Sequence, residues 1–213
     1  VTSTTRTNRT HATRRRTAGA AAIALAAAIA LVGCSSANDG LAAQYGKGNT
    51  QNYISGTGAV TEVAVDKRTD PIDFTAKSMD GDELSAKAMR GDVVVINFWY
   101  AGCPPCRAEA GYLNTVQDEF ADDDVHFIGV NVRDEAGTAK AFERKFGVDY
   151  PTVLDARSGT MQLALSGDIA PNAVPTTIVL DKKGRVAARV LGAVDGPSIL
   201  KTLVDDELSG KAS

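Results

Sequence analysis

The sequence predicts an α/β domain with a central sheet flanked by helices, and three observations carry that expectation. Apolar runs of strand length alternate with amphipathic helical stretches from about residue 72 onward. One run, Val93 to Trp99, is apolar enough to be covered on both faces. A Cys-x-x-Cys pair, Cys103 and Cys106, falls where that run gives way to a helix.

Each element has its own justification. Ile72-Asp73-Phe74-Thr75-Ala76 alternates at period two, and the turn signal Asp80-Gly81 precedes Glu83-Leu84-Ser85, which predicts a small antiparallel hairpin opening the domain. Val93 to Trp99 is interrupted only by Asn97 and belongs in the middle of the sheet. Pro105 starts a helix whose inward stripe is Cys106, Glu109, Leu113, Val116 and Phe120. A strand over Val125 to Val132 follows, then a helix carrying Ala139, Phe142 and Phe146 on one face and stopped by Gly147, then a short strand, Thr152 to Leu154. A brief helix from Gly159 to Leu165 leads into a loop, Asp168 to Pro175. The chain closes with a strand over Thr176 to Leu180, a turn over Asp181 to Gly184, a strand over Val186 to Leu191, and a helix from Pro197 bearing Ile199, Leu200, Leu203 and Val204.

The 213 residues are 44% hydrophobic, 23% charged and 6% aromatic, which suits one globular domain with extensions. Residues 1–33 hold five Arg and no acid, so the rest carries 18 basic against 26 acidic residues, a net of −8, and nucleic acid is excluded as a partner. Ala18 to Val32 is a fifteen-residue uncharged stretch behind that basic start, too short to span a membrane and patterned as a signal peptide over residues 1–33. Leu31-Val32-Gly33-Cys34 resembles the lipobox of bacterial lipoproteins, which implies lipidation of Cys34 and an anchor on the cell membrane at its extracytoplasmic face. Arg14-Arg15-Arg16 leaves the export route open. Residues 34–57, rich in Gly, Ser, Asn, Gln and Thr, read as a lipid-anchored flexible tether reaching roughly 25 to 30 Å, with a folded domain over 58–213.

Beyond Cys34, the cysteines reduce to Cys103-Pro104-Pro105-Cys106. A structural zinc site would need two more ligands, and the only histidines are His11 in the leader and His126 at a strand start, so no metal is expected. A purely structural disulfide closing a four-residue loop would add about 2 kcal/mol, a weak reason for this spacing. Position is the stronger reason. Cys103 stands at a helix N-terminus, where free backbone N–H groups and the helix dipole favour a thiolate; thiols so placed have pKa values of roughly 7 down to 3.5 rather than 8.5. Cys106, one turn inside, faces the core and is placed to attack a mixed disulfide on Cys103.

Phe98-Trp99-Tyr100-Ala101-Gly102-Cys103-Pro104-Pro105-Cys106-Arg107-Ala108-Glu109, together with Val174-Pro175-Thr176, resembles the TlpA/ResA-like branch of the thioredoxin superfamily over about residues 70–208. The resemblance implies a thioredoxin fold, a mixed sheet with an N-terminal hairpin and a helix-plus-strand insertion at Asp134 to Leu154. It implies that Pro175 is cis beside the cysteines and that the Val174 backbone pairs with an extended substrate. Gly102 stands where the family often has Trp, and Gly111 where it often has a helix Pro.

The resemblance also implies the proton chemistry. Thioredoxin proper has a buried Asp six residues before its first Cys; here that place is Asn97, which takes no proton. Glu109, inward on the helix stripe, occupies a position where the family has a Glu assisting thiol proton transfer, against the simpler role of a dipole partner. Trp99 is either an active-site wall that meets substrate or core, Arg107 a solvated helix residue, and Asp122-Asp123-Asp124 a solvated loop.

The expected function is therefore a thiol:disulfide oxidoreductase without a bound cofactor, acting on protein thiols and disulfides. The resemblance implies a reductive task on apocytochromes c, with electrons from a membrane thiol donor. Two alternatives remain at this point: disulfide formation in exported proteins, which uses the same residues, and a peroxiredoxin-type thiol peroxidase, against which Tyr100 stands where those enzymes have Thr three residues before the reactive Cys.

Overall fold

The structure is a computed structural model that describes residues 58–167 and 173–211. The expected leader, Cys34 and the tether lie outside the described residues, as do residues 168–172 of the expected loop. In chain order the elements are β1 (Ala59–Glu62), β2 (Thr75–Lys77), β3 (Glu83–Ser85), β4 (Val93–Trp99), α1 (Pro104–Glu119), β5 (Val125–Asn131), α2 (Ala136–Phe146), β6 (Thr152–Leu154), α3 (Thr160–Ala164), β7 (Thr176–Leu180), β8 (Val186–Leu191) and α4 (Pro197–Ser209).

Six strands form one mixed sheet in the order β1-β8-β7-β4-β5-β6. β4, β5 and β6 run parallel, whereas β7 is antiparallel to β4, β8 to β7 and β1 to β8. All seven residues of β4 are buried, as a strand covered on both faces requires. The two-residue period then sorts its side chains. Val93, Val95 and Trp99 join the core under α1, α2 and α4 with Leu113, Phe142 and Leu200. Val94, Ile96 and Phe98 join a second core with Phe74 and Leu84 of the hairpin region and Met161 of α3. Asn97, at an odd position, is thereby sent to the α1 side, a consequence of register alone.

The thioredoxin-type architecture agrees with expectation in its mixed sheet, its hairpin and its α2–β6 insertion. It differs at the start. The hairpin does not open the domain, because β1 precedes it and forms the sheet edge, pairing Ala59 with Leu191 and Glu62 with Ala188. β1 is only four residues long, three of them exposed, and carries no buried face for a sequence pattern to reveal. The hairpin is also shorter than its sequence pattern, pairing Thr75 with Ser85 through Lys77 with Glu83, while Ile72 and Phe74 are buried just before its first strand.

The segment after β1 is fastened by Arg68, whose side chain is 3% exposed. Its guanidinium bonds Glu207 on α4 at 2.7 and 2.8 Å and Asp181 in the β7–β8 turn at 3.0 Å, while its Nε donates to the Val63 carbonyl at 2.9 Å. Such a paired and hydrogen-bonded ion is the form in which a charge is tolerated inside a protein.

Candidate active site

Parallel β4 ends at the edge of the core and α1 begins after only four intervening residues, so the connection must turn sharply. Cys103 is the N-cap of α1, with φ −77° and ψ 112°, and its Sγ accepts the Cys106 N–H at 3.2 Å. Pro104 begins the helix and Pro105 follows, positions where a missing N–H costs nothing. Cys103 and Cys106 form a disulfide with Cα atoms 5.3 Å apart.

The expected stripe of α1 is as the spacing predicted: Cys106, Glu109, Leu113, Val116 and Phe120 are all buried. Cys103, although it stands at the helix end, is buried as well. Its neighbours Gly102 and Pro104 are exposed, yet Cys103 is 0% exposed and Cys106 2%. The reason is local: an N-cap side chain folds back over its own helix end, and here that direction leads into a cluster with Tyr100, Ala101 and Val174. Two opposed influences therefore act on a Cys103 thiolate. The Cys106 N–H and the helix terminus favour it, and burial disfavours it.

Behind the dithiol lies Glu109, fully buried. Its Oε1 accepts the Asn97 side-chain N–H at 2.9 Å and its Oε2 accepts the Val194 backbone N–H at 2.8 Å. Burial pushes the Glu109 carboxyl up to about 7, and these two hydrogen bonds hold it from rising further. Asn97 also donates to Thr177 Oγ1 at 3.0 Å, its register partner on β7. Tyr150 is buried nearby; burial raises its phenol above the ordinary value, and the charge of Glu109 adds to that. Glu109 is three residues from Cys106 on one helix face, the spacing at which side chains are neighbours.

Of the other expected site residues, Pro175 follows a cis Val174–Pro175 bond, and Val174 is buried in the cluster that holds both cysteines. Among the described residues no hydrogen bond engages the backbone N–H or C=O of Val174, whereas the Pro175 carbonyl accepts from Gly192 at 2.9 Å. Trp99 requires a correction. It is 2% exposed, its ring lies 4.3 Å from that of Phe142 on α2, and its indole nitrogen is over Gly129 of β5. It is core beneath α2 and offers no face to a substrate, because the odd positions of β4 point under the helices.

Two members of the site carry little signal in sequence. Val194 acts through its backbone, for which no residue type is diagnostic. Thr177 is an ordinary strand residue until register places it opposite Asn97. His126 pairs with Asp92 at 2.8 Å on the surface, away from this chemistry. Among the described residues no group of three or more His, Cys, Asp or Glu side chains is placed to hold a metal ion.

The chain and its fold have counterparts among known proteins. The family model described as Redoxin matches residues 64–204. The thiol-disulfide oxidoreductase ResA of Geobacillus thermodenitrificans is 31% identical over 131 residues, covering 62% of this chain and 72% of that protein. ResA of Bacillus subtilis is 27% identical over 131 residues, covering 62% and 70%. Among solved structures, a DsbF homologue from Corynebacterium diphtheriae superposes with a TM-score of 0.61 at 30% identity, covering 69% of this chain and 92% of that one. A secreted thiol-disulfide isomerase from Corynebacterium glutamicum does so with a TM-score of 0.61 at 30% identity, covering 68% and 92%.

Proposed function

The chain belongs to the Redoxin family and is a thiol-disulfide oxidoreductase, and on that premise we propose that it works as a lipid-anchored reductant of exported proteins at the extracytoplasmic face of the cell membrane. The observation that carries the chemistry is the stacking, along one face of α1, of an N-capping Cys103, a core-facing Cys106 and a buried Glu109.

In the reductive cycle, the Cys103 thiolate attacks one sulfur of a substrate disulfide. That S–S bond breaks, a mixed disulfide forms on Cys103, and the first substrate sulfur leaves as a thiolate. Glu109 accepts the proton of the Cys106 thiol, and the Cys106 sulfur then attacks Cys103 Sγ. The Cys103–Cys106 disulfide forms, and the second substrate sulfur leaves. Two electrons pass to the substrate, whose thiolates take up protons. A membrane thiol donor restores the dithiol by the same exchange in reverse. The Val174 peptide beside Pro175, which bonds to none of the described residues, would pair with the extended segment that carries the substrate cysteine.

The substrates proposed are the paired cysteines of apocytochromes c, kept reduced for haem attachment; the resemblance to the TlpA/ResA-like branch supports this. Anchoring through lipid on Cys34 is supported by the Leu31-Val32-Gly33-Cys34 run at the end of an apolar stretch. Equilibration of the chain with glutathione buffers tests the direction. A potential of about −270 mV or below is expected, whereas one near about −120 mV would make the chain a disulfide donor and overturn the reductive reading.

A further inference from the structure

The peptide groups of Ala101, two residues before Cys103, are gripped on both sides by charged side chains. The Ala101 N–H donates to Asp134 Oδ2 at 2.6 Å, and the Ala101 carbonyl accepts from Arg107 Nε at 2.8 Å. Asp134 is itself held in place. The same Oδ2 accepts Asn131 Nδ2 at 2.9 Å, while Asn131 Oδ1 accepts the backbone N–H groups of Asp134 at 2.7 Å and Arg133 at 3.1 Å. Asn131 is fully buried at the end of β5, directly beside Trp99 at the end of β4, so the anchor stands on the rigid sheet.

What this anchor holds is the turn that delivers Cys103. The Cys103 N–H donates to the Tyr100 carbonyl at 3.1 Å, closing residues 100–103 into a turn whose third residue is the exposed Gly102. A glycine there gives the turn freedom that has to be removed by other means. The charge-assisted bond from the Asp134 carboxylate is of the stronger kind. Arg107, one turn into α1, closes from the opposite side, so turn and helix are fixed relative to each other.

We propose that Asp134 is a positioning residue for the dithiol: by holding the Ala101 peptide against β5 it keeps Cys103 Sγ where the Cys106 N–H stabilises its thiolate, with Arg107 as the opposing jaw. The first residue of the α2–β6 insertion would then set the reactivity of a cysteine it does not touch. The inference rests on the oxidoreductase reading of the same site.

The two ways in which Asp134 acts on the thiol have opposite signs. Its negative charge, through space, raises the Cys103 pKa; its grip on the turn lowers it. The other ionisable groups at the turn are Arg107, bonded to the Ala101 carbonyl, and Arg133 above the Tyr100 ring, with Glu109 farther along α1 and the Tyr150 phenol that feels its charge, all unchanged in the variants below.

The test measures alkylation of Cys103 by iodoacetamide against pH in the reduced full chain, read residue by residue by mass spectrometry. Asp134→Ala is expected to move the Cys103 midpoint upward and to slow its reaction at pH 7 by about threefold to tenfold. Asp134→Asn, whose amide oxygen can accept the same bonds, is expected to stay within about twofold of wild type. Should Asp134→Ala not fold, Asp134→Ser, too short to reach Ala101, replaces it. A midpoint that is unmoved or lowered in Asp134→Ala overturns the proposal, as does an Asp134→Asn profile displaced as far as that of Asp134→Ala. A wild-type chain that exchanges no disulfide with a protein substrate would remove the oxidoreductase reading itself, an outcome distinct from both.

Discussion

Asn97 donates its side-chain N–H to Glu109 Oε1 at 2.9 Å, so an amide on the central strand supports a buried carboxyl on the helix. The carboxyl proposed to take the Cys106 proton sits on α1, one turn beyond that cysteine, and the sheet supplies the amide that holds it.

Glu109→Gln tests this directly. The variant keeps the shape, folds and still forms the disulfide, but its pH profile of thiol reactivity changes and its exchange with a protein disulfide slows. A profile and a rate identical to wild type would reduce Glu109 to a helix-dipole partner. Stability supplies a second reading. The folded carboxyl titrates at about 7 against an ordinary 4.5, so between those values the folded chain holds a proton that the unfolded chain has lost. The stabilisation is complete below about pH 4.5 and is lost as pH rises through 7. Denaturation of wild type should therefore show a loss on the order of 3 kcal/mol over that window that Glu109→Gln lacks.

Removing the support should shift the same titration. Asn97→Ala deletes a hydrogen bond that favours the Glu109 carboxylate, so the acid should hold its proton to higher pH. The Glu109-dependent inflection in thiol reactivity should move to higher pH, and an unchanged or acid-shifted inflection would contradict the role assigned to the amide.

The two sulfurs should behave differently although both are buried. Only Cys103 accepts the helix-terminal N–H, so in the reduced protein it should be the more rapidly alkylated. Cys106→Ser should then trap a mixed disulfide between Cys103 and substrate. Equal alkylation rates, or trapping through Cys106 in a Cys103→Ser variant instead, would reverse the assignment.

Arg68→Ala should destabilise the domain by about 3 kcal/mol, because Glu207 would be left largely buried without its cation while Asp181 kept only Arg185. Chemical denaturation measures this, and a loss below about 1 kcal/mol would show that Glu207 finds another partner.

The proposed lipid anchor is tested by location rather than chemistry. Cys34→Ala should release the domain from membranes while dithiol exchange by the released protein is unchanged, since the thioether requires the Cys34 sulfur. Continued sedimentation of the variant with membranes would rule out that attachment.

Most of the elements and the reacting sulfurs were legible from residue order, because their determinants are local: the unbroken apolar run of β4, the 3-4-3-4 stripe of α1, and two cysteines separated by one helical turn at a strand–helix junction. The inward aim of Glu109 belongs to the same class. Six features depended on contacts between distant segments. β1 was hidden because an exposed edge strand of four residues buries no face and is defined by its pairing with β8. The place of Trp99 under α2 and the burial of Cys103 follow from which elements close over them. The bond from Asn97 to Glu109, the Val194 N–H, and the Asp134 grip on Ala101 join residues 12, 85 and 33 positions apart. Periodicity reports which way a side chain points along its own element, whereas a hydrogen-bond partner is chosen by register and packing, and those exist only once the chain has folded.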